Sequence, residues 1–202
     1  MKPLIVAATR FEILETIPLL DEYNIPYVIT GVGMTATAYN LTKYLSKNLD
    51  TSIVINVGIA GAFDKHMKLG EVISIHTDSF YELGAEDDED FIPIHILGFG
   101  QNTYHARFSK DLGLLSYESI TVNKIHGNDH SINKVHKLFP TVKIENMEGA
   151  AVFYTCAQEN IDCIQIRAIS NYVEKRNKSN WDIDLALKNL NNWLKNFITE
   201  NY

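Results

Sequence analysis

Two carboxylates and one carboxamide stand where chemistry is expected. Glu148 lies between Met147 and Gly149-Ala150-Ala151, where an apolar strand hands over to an apolar helix. An ionised carboxylate in such a junction must be hydrogen-bonded or hold its proton more tightly than usual. The two neighbouring hydroxyls of a ribose can both donate to one carboxylate, so Glu148 reads as a polyol-binding acid. Glu12 follows the first apolar run and enters the first helical stretch. The helix dipole also favours an acid there, so residue type alone leaves a structural role open. Asn171 ends a buried run beside Ser170, and its amide donates and accepts together. These residues predict a site for a ligand with a polyhydroxylated part and a flat heterocycle.

The elements that must carry these groups alternate. Residues 4–8 read as a strand, and Phe11, Leu14, Ile17 and Leu20 recur at helical spacing up to Asp21. A strand over 26–30 is closed by Gly31-Val32-Gly33, and a helix follows over 35–47. Residues 52–57 form a continuous apolar run ending in Gly58 and Gly61, the pattern of a strand buried on both faces. Further strands are expected at 71–80, 119–126, 142–145 and 163–170, with a helix over 149–159. Asn180 or Asp182 can cap a last helix with an apolar stripe through Leu187, Leu190, Leu194, Phe197 and Ile198. Strands interleaved with helices predict an α/β fold: one domain over 1–202, three α/β/α layers around a central mixed sheet. Ligands on such folds bind at the carboxyl ends of strands.

Other motifs carry less. Residues 31–36 match a glycine-rich dinucleotide pattern with Asp50 near the right distance. However, Asp50 precedes the next strand instead of ending it, and the loop follows the second strand. No nicotinamide or other cofactor is expected. The loop can still face an anion at a helix N-terminus. Asn56-Val57-Gly58-Ile59-Ala60-Gly61 suits either close approach to a ligand or packing. Arg167, inside an apolar strand, is expected to pair with a carboxylate as a structural group. The acidic run 86–90 reads as a solvated loop. His126 and His130 are expected in a loop without a third ligand, so no metal site is expected. Cys156 and Cys163 read as reduced core residues.

At 202 residues, 46% hydrophobic and 21% charged, the chain has the composition of a soluble globular domain. Its formal net charge of −7, without a basic block, argues against nucleic acid and anionic membrane as partners. The first apolar run is too short for a signal peptide or membrane span, so a cytoplasmic protein is expected.

In this order, Glu12, Gly31-Val32-Gly33, residues 56–61, Asn146-Met147-Glu148-Gly149-Ala150 and Arg167-Ala168-Ile169-Ser170-Asn171 resemble the nucleoside phosphorylase and nucleosidase superfamily. The chain looks most like the futalosine hydrolase family, which is related to methylthioadenosine/S-adenosylhomocysteine nucleosidase. The resemblance implies a phosphorylase/hydrolase-like fold, a small-molecule nucleoside substrate and a homodimer or higher homo-oligomer. By the same resemblance Glu12 activates the attacking water, and Met147 and Glu148 bind ribose. Ala60 and Gly61 form the loop near sugar and base, and Ser170, His130 and Ser131 lie near the base. Asn171 stands where adenine-specific members carry aspartate. An asparagine amide can donate to N7 and O6 of hypoxanthine but is no general acid. The implied reaction splits futalosine into hypoxanthine and dehypoxanthine futalosine, a step of menaquinone biosynthesis. Phosphate-dependent purine nucleoside phosphorolysis, methylthioadenosine/S-adenosylhomocysteine hydrolysis and non-catalytic nucleoside binding are the competing readings. Arg107, Lys110 and Arg176 are unranked candidates for a carboxylate tail.

Overall fold

The computed structural model describes residues 2–88, 90–108 and 110–202. β1 (Pro3–Ala7) lies between β2 (Tyr27–Ile29) and β3 (Ile53–Ala62), all parallel. Alternation along β1 decides the layers. Leu4 and Val6 join the core under α2 (Met34–Leu45) and α4 (Gly149–Gln158). Ile5 and Ala7 join the core under α5 (Ile183–Asn201). Full burial of each such aliphatic side chain contributes on the order of 1.5–3 kcal/mol. These are the expected α/β/α layers around a mixed sheet.

The sheet also closes on itself. β3 pairs with the parallel β10 (Asp162–Tyr172), which pairs antiparallel with β4 (Val72–Phe80). β4 runs parallel to β8 (Ser116–Thr121), and β8 to β9 (Ile144–Asn146). β9 returns antiparallel to the end of β3 through Gly61 and Ala62. One edge of β3 therefore pairs with β1 over residues 53–56 and with β9 only from Gly61. The gap between these partners is where the candidate site lies.

The local differences from expectation have physical causes. Pro18 sits at the start of α1 (Ile17–Glu22), so the first helical stretch is split into a 3-10 turn (Arg10–Ile13) and a short α-helix. The 56–61 motif continues β3 instead of forming a loop after it, because β10 supplies hydrogen-bonding partners along its length. The strand expected over 119–126 is β8, ending at Thr121; His130 lies in α3 (Asp129–Leu138), capped by Asn128. The acidic run is a hairpin, not a loop: β5 (Gly84–Asp87) pairs with β6 (Asp90–Pro93), and Asp88 takes φ 54° at the turn. Glu89 of that run lies outside the described residues. β7 (Thr103–His105), unanticipated, pairs with β4. Asp182, rather than Asn180, caps α5 by accepting from the Leu185 N–H. Cys156 and Cys163 are buried and unbonded. Among the described residues no helix is long and apolar enough to cross a membrane, and no three metal-ligating side chains cluster.

Candidate active site

Glu12 is placed by the 3-10 turn after β1. Its Oε2 accepts from the Thr9 N–H (2.8 Å) and the Thr9 hydroxyl (3.1 Å). Its Oε1 accepts from the Ile59 N–H at 3.3 Å. Ile59 lies on the stretch of β3 between its pairings with β1 and β9, so a side chain takes over a main-chain donor there. Gly58 makes the approach feasible. A Cβ at that position would stand 2.8 Å from Glu12 Oε1 and 3.3 Å from Arg167 Nη1.

Glu148 occupies the N-cap position of α4 and is 8% exposed. Its Oε1 accepts from the Gly33 N–H at 2.9 Å. The glycine loop thus meets an anion that the protein itself supplies. Burial raises the Glu148 carboxyl above its ordinary value; the field of Arg167 and the Gly33 N–H oppose that rise.

Arg167 lies beneath both acids at 1% exposure. The expected direct carboxylate partner is replaced by amide oxygens: Nη2 donates to Asn56 Oδ1 at 2.7 Å, and Nη1 to the Ile166 carbonyl at 3.1 Å. Its Nε has no protein partner among the described residues. Burial lowers the Arg167 pKa, and the fields of Glu148, Glu12 and Asp78 oppose that. A buried cation between two carboxylates balances their charge without capping either one.

A second buried network holds Glu148. Asn146 Oδ1 accepts from the N–H groups of Glu148 (2.9 Å) and Gly149 (2.6 Å), while Asn146 Nδ2 donates to Asp78 Oδ2 at 2.8 Å. Asp78 also accepts from Thr121 and from Gln165. Complete burial nevertheless pushes its carboxyl up, against those hydrogen bonds. A raised folded-state pKa means that the folded protein binds the proton more readily than the unfolded chain. The stability so contributed is fully present below the ordinary carboxylate range and is lost as pH rises towards the raised value. Asp78→Asn is therefore expected to flatten the fall in unfolding free energy as pH rises above the ordinary carboxylate range. Urea unfolding at several pH values checks this; coincident slopes for the two proteins would show that Asp78 is not the titrating group.

Thr9, Glu12, Met147, Glu148, Ser170 and Asn171 share one cavity of about 280 Å³, with Ala60 and Gly61 in its wall. Asn171 Oδ1 accepts from the Ser170 hydroxyl at 2.8 Å, and its Nδ2 donates to the Tyr172 carbonyl at 3.1 Å, leaving one N–H free. His130 and Ser131 do not line this cavity. They form the first turn of α3, where the Ser131 N–H donates to Asn128 Oδ1. Ile125 lines it. Glu145, Trp181, Ile183 and Leu187 also line the cavity and were not anticipated. Glu145 left one signal in the sequence, an acid ending a short apolar strand. Of the three tail candidates, Arg107 donates to Asn160 and Lys110 to Asn201, away from the cavity. Arg176 lies nearer, over the Trp181 ring at 5.7 Å.

The sequence profile of the Phosphorylase superfamily matches residues 117–199. This match covers 83 of the 202 residues and agrees with the superfamily resemblance drawn from the motifs. Among relatives, a futalosine hydrolase of Thermus thermophilus is 25% identical over 184 residues, covering 86% of this chain and 81% of that protein. A 5'-methylthioadenosine/S-adenosylhomocysteine nucleosidase of Glaesserella parasuis is 27% identical, covering 83% and 76%. In fold, the chain is similar to the Streptococcus pneumoniae MTA/SAH nucleosidase solved with 8-aminoadenine. The TM-score is 0.80 at 19% identity, with 98% and 99% of the two chains covered.

Proposed function

We propose that the chain is an N-ribosyl hydrolase that cleaves futalosine into hypoxanthine and dehypoxanthine futalosine, within menaquinone biosynthesis. The observation that carries the reading is the placement of Glu12 and Glu148 around the buried Arg167, with Asn171 on the same cavity. Glu148 has one oxygen on Gly33 and the other available to ribose hydroxyls. Met147 packs beside it. Glu12 takes a proton from water as the water attacks the sugar carbon. The C–N bond breaks as the C–O bond forms, and its electron pair leaves with the purine. Positive charge builds on the sugar as in other glycoside hydrolyses, and the two carboxylates favour it. The free Asn171 N–H donates to the departing base, a stabilising contact without proton transfer. The implied assembly is a homodimer or higher homo-oligomer, and the implied location is the cytoplasm.

Water is favoured over phosphate by the lining. Among the described residues, no lysine or arginine side chain borders the cavity, and the Gly33 amide already serves Glu148. A phosphate dianion calls for such donors. Hydrolysis of methylthioadenosine and S-adenosylhomocysteine is the second reading, favoured by the names of the Glaesserella and Streptococcus relatives. Base release from futalosine, inosine and methylthioadenosine, with and without phosphate, separates them. The expected result is hypoxanthine from futalosine without phosphate. Turnover of methylthioadenosine alone would replace the reading with the second one, and strict phosphate dependence would make the chain a phosphorylase.

A further inference from the structure

Asn191, on α5, is buried and has no part in the scheme above, yet its carboxamide reaches the turn that carries Glu12. Its Nδ2 donates to the Glu12 carbonyl at 3.0 Å and to the Leu187 carbonyl at 2.8 Å. Its Oδ1 accepts from the Thr16 hydroxyl at 2.7 Å. Two carbonyl oxygens can only accept, so the amide nitrogen must face them and the amide oxygen must face the hydroxyl. Thr16 is itself fully buried, at the N-cap of α1. The three contacts use both amide hydrogens and fix which way the side chain faces.

Glu12 needs an anchor of this kind. The 3-10 turn that carries it has four residues, and so short a turn has few hydrogen bonds of its own. The carboxylate is held by Thr9 and by the Ile59 N–H, contacts that reach it only if the turn stays in place. The main chain of the same residue is held from α5, 179 positions further along the chain. α5 is a firm support, since Ala186, Leu190 and Leu194 seat it in the core. Leu187, the second acceptor, also lines the cavity. One helix thus sets the cavity wall and the Glu12 turn against each other.

We propose that Asn191, oriented by Thr16, is a positioning residue for Glu12: it holds the Glu12 main chain so that the carboxylate faces the attacking water. This rests on the nucleosidase reading and deepens it. Asn191 does not line the cavity, so it acts through Glu12 and not on the ligand. A reacting group misplaced by about 1 Å loses on the order of 10²-fold in rate. Glu148 and Asn171 stand on α4 and β10, so binding does not depend on the turn.

A double-substitution cycle in the intact protein tests the assignment. The substrate is futalosine, or methylthioadenosine if wild type hydrolyses only that. Asn191→Leu is expected to lower kcat ~10- to 100-fold, while the Kd of a non-hydrolysable nucleoside analogue changes less than ~3-fold. In a Glu12→Gln background the same substitution is expected to lower the residual single-turnover rate less than ~3-fold, because the carboxylate it positions is already gone. Equal losses in the two backgrounds would mean general structural damage and overturn the assignment, as would unchanged kcat in a folded Asn191→Leu protein. If that variant fails to fold, Thr16→Val decides, since it frees the amide to turn. A loss of kcat that Thr16→Ser restores is then expected, and wild-type kcat in Thr16→Val overturns the assignment. These results leave the nucleosidase reading standing. Full turnover in Glu12→Gln alone, or wild type hydrolysing neither nucleoside, overturns both.

Discussion

Glu12→Gln is expected to lower kcat by about 10²–10⁴-fold, the usual contribution of a positioned base, while nucleoside affinity changes little. Glutamine keeps the length and shape of the side chain but cannot take a proton at neutral pH. The proposed binding groups, Glu148 and Asn171, approach the cavity from other elements, α4 and β10. The substitution also has a local cost. Both carboxylate oxygens accept now, from Thr9 on one side and Ile59 on the other. A carboxamide presents a donor on one side, so one main-chain N–H loses its partner at roughly 1–3 kcal/mol. Turnover should therefore be compared with the Tm and with binding of a non-hydrolysable nucleoside analogue. Loss of kcat with binding retained is the expected split. A folded variant with full turnover would remove Glu12 from the mechanism.

Gly149→Ala is the largest expected loss of stability. A Cβ there would lie 2.1 Å from Gln165 Nε2 and 2.3 Å from Asp78 Oδ2, inside van der Waals contact. Neither atom can swing away freely, because Gln165 donates to Asp78 and Asp78 also binds Asn146 and Thr121. The added methyl must either move the start of α4 or break a buried network. We expect a loss of about 3 kcal/mol or more, from overpacking together with an unpaired buried group. Because Asn146 also accepts from the Glu148 N–H, the same change should displace Glu148 and raise KM for a nucleoside. Chemical denaturation and steady-state kinetics on one preparation check both effects. An unchanged unfolding free energy would mean that the network repacks at little cost.

The two changes mark the division between what was legible in the sequence and what was not. Strand and helix order came through because burial imposes a period: Leu4 and Val6 against Ile5 and Ala7 in β1, and Leu190, Leu194 and Ile198 in α5. Glu148 was conspicuous for a related reason, a charge within an apolar pattern. The closure of the sheet was not legible. It depends on β3 changing neighbours from β1 to β9, and no local preference of residues 57–60 announces that. Arg167 was visible as a buried cation, but its amide partner Asn56 is 111 positions away. His130 and Ser131 do not line the cavity, because a helix begins at Asp129 and takes them into its first turn. Glu145 and Asn171 illustrate the limit. As letters they are an acid in a short strand and an amide at a strand end. Only the register of β9 and β10 on Gly61 brings both to the wall of one cavity. Periodicity and residue chemistry act over a few positions, so the chain alone determined its elements and marked several of the polar groups that line the cavity. Distances between groups from different strands are set by long-range pairing, so the tertiary structure decided which of them meet.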